Sequence, residues 1–218
     1  MRIFRFYSLT LVMLFAFLII KAQKSKEVNG FIISMGNDTI ACVFKPNSWK
    51  KQPREIKARL ANKDTLLSAK NINGFFIPSL SIQYVSRLIS LVDYSDNFQE
   101  ASQWKDPNVF PAEKFFLKIL HKGELSLYQY TDKLNRDDFF VETVDTLIQL
   151  YSHLYYKIES VHPYNPTKAL LDKKYQYDLQ KLMIHCRTLY SVIENIDLKK
   201  EHLLQLFDMY EKCIAENK

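Results

Sequence analysis

The sequence predicts an α+β fold: an antiparallel, β-rich N-terminal domain of meander or barrel-like form, followed by a small helical bundle. Three observations carry this. Before residue 150 the apolar residues come in short runs broken by Gly, Asn or Asp; after residue 166 they recur at helical spacing; and the first 22 residues have the pattern of a leader. The resulting divisions are a signal peptide at 1–22, a β-rich domain at 28–150, a linker at 151–166 and a helical domain at 167–216.

The leader, "MRIFRFYSLTLVMLFAFLIIKA", opens with Arg2 and Arg5, runs through an uncharged block from Phe6 to Ile20 and ends at Ala22. That block of 15 residues is shorter than the ~20 needed to cross a hydrocarbon core, so a cleaved leader with Gln23 at the new terminus is expected over a single-span anchor. No cysteine lies at the junction to accept a lipid. Loss of Arg2, Arg5 and Lys21 turns 30 basic against 24 acidic residues into 27 against 24, a net +3. So small an excess excludes nucleic-acid binding unless it is concentrated in a stripe. The candidate stripe is Lys45, Lys50, Lys51, Arg54, Lys57, Arg59 and Lys63. Lysines on an edge strand also discourage edge-to-edge pairing. The expectation is therefore a solvated loop and edge, with no nucleic-acid partner; membrane contact is left to this 45–63 segment or to an uncleaved leader.

Within the β-rich part, "FIIS" and "TIACVFK" flank "MGND", "EIKARL" precedes "ANKD", and "SIQYVSRLISLV" alternates over a long stretch. "KFFLKIL" and "ELSLYQY" then flank "HKG", and "DDFFVET" follows. Short β-formers with turn residues between them read as antiparallel hairpins. The chain has four glycines, Gly30, Gly36, Gly74 and Gly123, spread singly. A phosphate-cradling loop needs several close together, so a P-loop, a dinucleotide fingerprint and a G-x-S-x-G elbow are excluded.

After "HPYNP" the period changes. Tyr175, Leu179, Leu182, Met183 and Cys186 form one stripe; Leu189, Val192, Ile193 and Ile196 a second; Leu203, Leu206, Phe207, Tyr210, Cys213 and Ile214 a third. Three short amphipathic segments predict an up-down-up bundle that brings Cys186 and Cys213 to the same end. In an oxidising compartment two stripe-facing cysteines pair with each other, and closing a loop of about 28 residues stabilises by roughly 3 kcal/mol. His185, Cys186, His202 and Cys213 hold the atoms of a zinc site, but no C-x-x-C pair occurs and His185 lies off the stripe. The expectation is a Cys186–Cys213 disulfide and no metal or other cofactor.

Several of these segments recur together elsewhere. With the leader, the opening hairpin "GFIISMGNDTI", the segment "NINGFFI", the pair "FFLKIL" and "LSLYQY" around a glycine turn, and a helical tail with two cysteines, the chain resembles a group of uncharacterised exported proteins of the Bacteroidota. These are packing and turn signatures. The resemblance implies the fold and the envelope compartment, and transfers no catalytic residue.

Candidate chemistry is sparse. Cys42 alternates with Ile40 and Phe44 and reads as a small buried apolar residue; a nucleophile would need His121 or His153 beside it. Asp93, Asp96, Glu100 and Asp106 gather around "VDYSDNFQE" and could serve an acid-dependent hydrolase, although their spacing fits no calcium loop. Asp137 and Asp138 read as turn residues before "FFVET". Tyr151, Tyr155, Tyr156 and Tyr164 are either a ligand-stacking surface or a seam between sheet and helices, since their rings suit half-wet positions. No catalytic residue is assigned. The expected function is a non-catalytic structural or interaction module of the envelope, with an envelope protein or glycan as partner; the alternative is a hydrolase or binding protein for envelope glycans or peptides.

Overall fold

The computed structural model describes residues 27–45, 54–95, 97–99, 101, 103, 105–132, 135–158 and 167–216. The leader at 1–22 lies outside them, as do Lys50, Lys51, Asp96, Glu100, Pro163, Tyr164 and Pro166.

The first hairpin pairs β1 (Val28–Ser34) with β2 (Thr39–Phe44). Its turn closes with the Ser34 N–H donating to the Asp38 carbonyl at 2.9 Å, and Asn37 takes the left-handed position at φ 68°. A second hairpin joins β3 (Glu55–Leu60) to β4 (Lys63–Ser68), and β5 (Ile72–Ile77) and β6 (Ile82–Ile89) follow. Here "SIQYVSRLISLV" divides: after β6 the chain forms β7 (Val92–Asp93), which pairs with β8 (Asn108–Val109) as a separate two-stranded ribbon. Then come β9 (Glu113–His121), β10 (Ser126–Thr131), β11 (Asp137–Glu142) and β12 (Leu147–Leu150). Ten strands make one antiparallel sheet in the order β12, β11, β10, β9, β6, β5, β1, β2, β3, β4.

The sheet is open, not barrel-like. The apolar face of β10–β12 is buried by helices instead of by a closing strand: Leu125, Leu127, Phe139, Val141 and Leu150 share one core with Tyr175, Leu179, Met183, Ile193, Leu203 and Phe207. The opposite face carries Ile89, Phe115, Leu117, Tyr128, Tyr130 and Phe140. A third core lies among β1–β6, where Phe44, Ile56 and Phe75 are fully buried. Gly30 and Gly74 mark close approaches there. A β-carbon on Gly30 would meet the Phe44 ring at 2.6 Å, and one on Gly74 would overlap the Tyr84 carbonyl.

The expected linker and the start of the expected helical domain contain strands instead. β13 (His153–Ile158) pairs with β14 (Thr167–Asp172). "HLYYKI" is rich in β-formers, whereas "TKALLD" is not and owes its strand to pairing with it, from His153 opposite Asp172 to Ile158 opposite Thr167.

Three helices close the chain: α1 (Lys174–Leu182), α2 (Tyr190–Asn195), entered through a 3₁₀ turn at Arg187–Leu189, and α3 (Lys200–Glu216). The first stripe outlasts its helix. α1 ends at Leu182, and Cys186 lies in the following turn, its N–H donating to the Met183 carbonyl at 2.9 Å. Met183 and Cys186 still point inward, at 0% and 2% exposure, so the spacing reports burial more faithfully than helix. Cys186 and Cys213 are disulfide-bonded with Cα atoms 6.1 Å apart, within the roughly 4.4–6.8 Å that such a bond needs. No helix among the described residues is long and apolar enough to cross a membrane.

Candidate functional site

The ribbon of β7 and β8 lies over the sheet face that carries Phe115, Tyr128, Tyr130 and Phe140, and two adjoining recesses form beneath it. One, of about 310 Å³, is walled by Leu91, Phe110, Pro111 and Phe115, with Arg54 and Glu113 at its rim. The Arg54 guanidinium sits 5.2 Å from the Phe115 ring centroid, a cation–π contact. The other, of about 90 Å³, shares Leu91 and Phe110 and is more polar, adding Asp93, Tyr94, Asp132, Arg136 and Asp138.

The polar groups hold one another. Arg136 donates through Nε to Asp132 Oδ2 at 2.8 Å and through its backbone N–H to Oδ1 at 2.9 Å. The Tyr94 hydroxyl donates to Asp138 Oδ1 at 2.9 Å, and Gln149 Nε2 donates to the same oxygen at 3.0 Å. Asp138 is 9% exposed. Burial pushes its carboxyl up to about 6 against the two hydrogen bonds, which favour the ionised form. Nearby, Arg87 grips Glu142 with two bonds of 2.6 and 3.0 Å, and Tyr128 donates to the same carboxylate.

Reading Asp138 as a turn residue is therefore corrected: it is a strand residue facing inward. In β11 it is in phase with Phe140 and opposite Tyr130, so it faces the same core as they do. That alternation was the available signal. Leu91, Phe110, Phe115, Arg54 and Gln149 carried none, because their convergence depends on the β7–β8 excursion.

Of the acids expected to gather, Asp93 reaches the recess and Asp106 is exposed elsewhere in the segment. Asp96 and Glu100 lie outside the described residues. Three of the four tyrosines contact neighbouring groups. Tyr151 stacks on Tyr94 at 6.0 Å, Tyr155 on His153 at 6.4 Å, and the Tyr156 hydroxyl donates to the Phe98 carbonyl at 2.9 Å. All three are half-buried, and Tyr164 lies outside the described residues.

Two cations of the basic segment are paired with acids. Lys45 pairs with Asp64, and Arg59 with Glu27 at 2.8 Å and Asp64 at 3.2 Å. Cys42 is buried, which pushes its thiol up to about 11. His121 packs against Phe207 and His153 bonds Ser95, so neither belongs to the core that holds Cys42. His185 is exposed, and His202 Nδ1 accepts the Asp197 N–H at 3.3 Å. Among the described residues no group of three or more His, Cys, Asp or Glu is placed to hold a metal. A wider, shallow hollow of about 730 Å³ lies between Glu27, Phe31, Val43, Arg59 and Pro78.

No family model, curated protein or solved structure matches the chain.

Proposed function

We propose that this chain is an exported, non-catalytic interaction module of the cell envelope that binds an apolar residue of an extended segment in a protein partner. The observation that carries the reading is the recess of Leu91, Phe110, Pro111 and Phe115, with Val109 and Phe110 standing 63% and 52% exposed beside it. Contiguous exposed apolar surface rimmed by charge is a usual mark of an interaction site, and Arg54 and Glu113 supply charges of both signs for polar groups flanking an inserted side chain. Export rests on the leader pattern and on the resemblance to exported Bacteroidota proteins. In this reading the C-terminal helices and their disulfide form a small bundle that stiffens the back of the sheet.

The test is a photoreactive residue at Phe110 in intact cells, with one at Leu66, exposed on β4, as control. A discrete protein adduct from position 110, absent from 66 and lost on adding Leu91→Asp, is the expected outcome. Equal labelling at both positions removes the reading.

A glycan hydrolase is favoured by one observation, Asp93 and the raised Asp138 in one recess. However, Asp138 lies under Tyr94 with both donors on one oxygen. Release of sugar from peptidoglycan by wild type and not by Asp138→Asn would decide for that alternative.

A further inference from the structure

Four of the five buried polar or charged side chains among the described residues, Ser95, Asp138, Gln149 and His153, meet at one place; the fifth, Asp178, is paired with Lys174. What they hold is the strap Leu91–Ser95. The Val92 N–H donates to Gln149 Oε1 at 2.8 Å, and Gln149 in turn donates to Asp138, as does Tyr94. At Ser95 the backbone N–H donates to His153 Nδ1 at 3.2 Å, the hydroxyl donates to the Leu154 carbonyl at 2.9 Å, and the Leu154 N–H donates back to the Ser95 carbonyl at 2.7 Å. The strap's own ladder is minimal: β7 and β8 are two residues each, and the Phe110 N–H donates to the Leu91 carbonyl at 2.8 Å. Leu91 and Phe110 are also walls of the apolar recess. One wall of that recess is thus fastened by buried polar contacts, among them one from Tyr94 to the Asp138 carboxyl and one from Val92 that reaches it through Gln149.

We propose that the strap Leu91–Ser95 with β8 is a movable wall of the recess, closed when Asp138 carries a proton and released when it loses it. That the motion regulates binding rests on the recess being the binding site; the motion itself does not.

The direction follows from where the carboxyl sits in each state. With the strap closed, Asp138 faces Tyr94 and, across the small recess, Asp93 from the strap, Gln149 from β12, Tyr130 from β10, and Asp132 and Arg136 from the preceding loop. Burial and the Asp132 charge disfavour the ionised form; the Tyr94 and Gln149 hydrogen bonds and the Arg136 charge favour it without offsetting burial. The closed state binds the proton up to about pH 6, against an ordinary value of 3.8 once the group is rehydrated. A raised value in the closed state means its support for closure is complete below the ordinary value and is lost as pH rises through about 6. Full rehydration corresponds to a change in the opening equilibrium of about 100-fold.

Amide hydrogen exchange on the whole protein between pH 3.5 and 7.5, corrected for intrinsic chemical exchange, tests this at Val92, Ser95, Phe110 and Leu154, with Leu117 in the sheet as reference. Protection at the strap amides relative to Leu117 is expected to fall by about 100-fold as pH rises. Asp138→Asn keeps an oxygen acceptor and cannot ionise, so its protection should be high and flat. Tyr94→Phe removes a bond to the ionised form, so its transition should move to higher pH. A flat wild-type profile, an Asp138→Asn profile with the wild-type slope, or protection that falls on acidification overturns the proposal. Unfolding of either variant would show as lost protection at Leu117, and the wild-type slope with the other variant then decides. A pH-dependent strap without an adduct at position 110 ends the binding reading alone; an adduct with flat exchange ends the strap alone.

Discussion

At the scale of single residues, Asp138 shows how a buried charge reports on its surroundings. Its carboxyl is raised by burial, so the folded state holds the proton more tightly than the unfolded chain does. The stability it contributes is complete below the ordinary carboxylate range and is lost as pH rises through about 6. Asp138→Asn should therefore match wild type in urea unfolding near pH 4 and exceed it by roughly 1–3 kcal/mol at pH 8. Equal midpoints at pH 8 would mean that the carboxylate is not paying for its burial. A second residue-scale expectation concerns Phe207, fully buried among both sheet and helix residues. Phe207→Ala should cost about 3–5 kcal/mol, read from the same unfolding curves. Both residues were partly legible: Phe207 as a stripe position, and Asp138 only through its phase with Phe140. Burial of Phe207 follows from period alone, whereas that of Asp138 depends also on Tyr94 arriving from the segment after β7, 44 positions away, which no local pattern encodes.

Elements were legible where local chemistry determines them. The first hairpin is one such case, because Ser34, Asn37 and Asp38 close its turn by themselves. The β13–β14 hairpin was hidden, since its aromatic residues also suited a junction and its strands are separated by a proline-bearing stretch. Openness of the sheet was hidden too, because closure depends on what covers β10–β12 and not on the strands themselves. The cysteines paired as expected although Cys186 is in a turn, because pairing needs inward placement and proximity, which the apolar spacing supplied. The bond ties the turn after α1 to α3 across 27 positions. Cys186→Ala with Cys213→Ala should lower stability by about 3 kcal/mol in the chain-entropy account, measured by denaturation under conditions that leave Cys42 unmodified. A loss below about 0.5 kcal/mol would show that the sheet contacts alone hold the helices.

For the whole molecule, the decisive fact is that one core belongs to both the sheet and the helices. Leu127, Phe139, Val141 and Leu150 bury their side chains against Leu179, Met183, Ile193, Leu203, Leu206 and Phe207. Two independent units would each need a core of their own, and a helical tail of this length has little apolar area to close on itself. The sheet needs the helices equally: without them the outward residues of β10, β11 and β12 form a contiguous apolar surface of the kind that aggregates. Glu211 adds a polar tie, since its Oε1 accepts the Glu124 N–H at 2.9 Å where β9 turns into β10. The expectation for the oxidised protein is a single cooperative unfolding transition, with calorimetric and van't Hoff enthalpies in agreement. A chain ended after Asp172 should lose the sheet as well as the helices, appearing as an aggregating species without near-ultraviolet circular dichroism. Two resolved transitions, or a soluble truncated chain with native strand signals, would show instead that the β-rich part folds alone and the helices dock onto a finished surface.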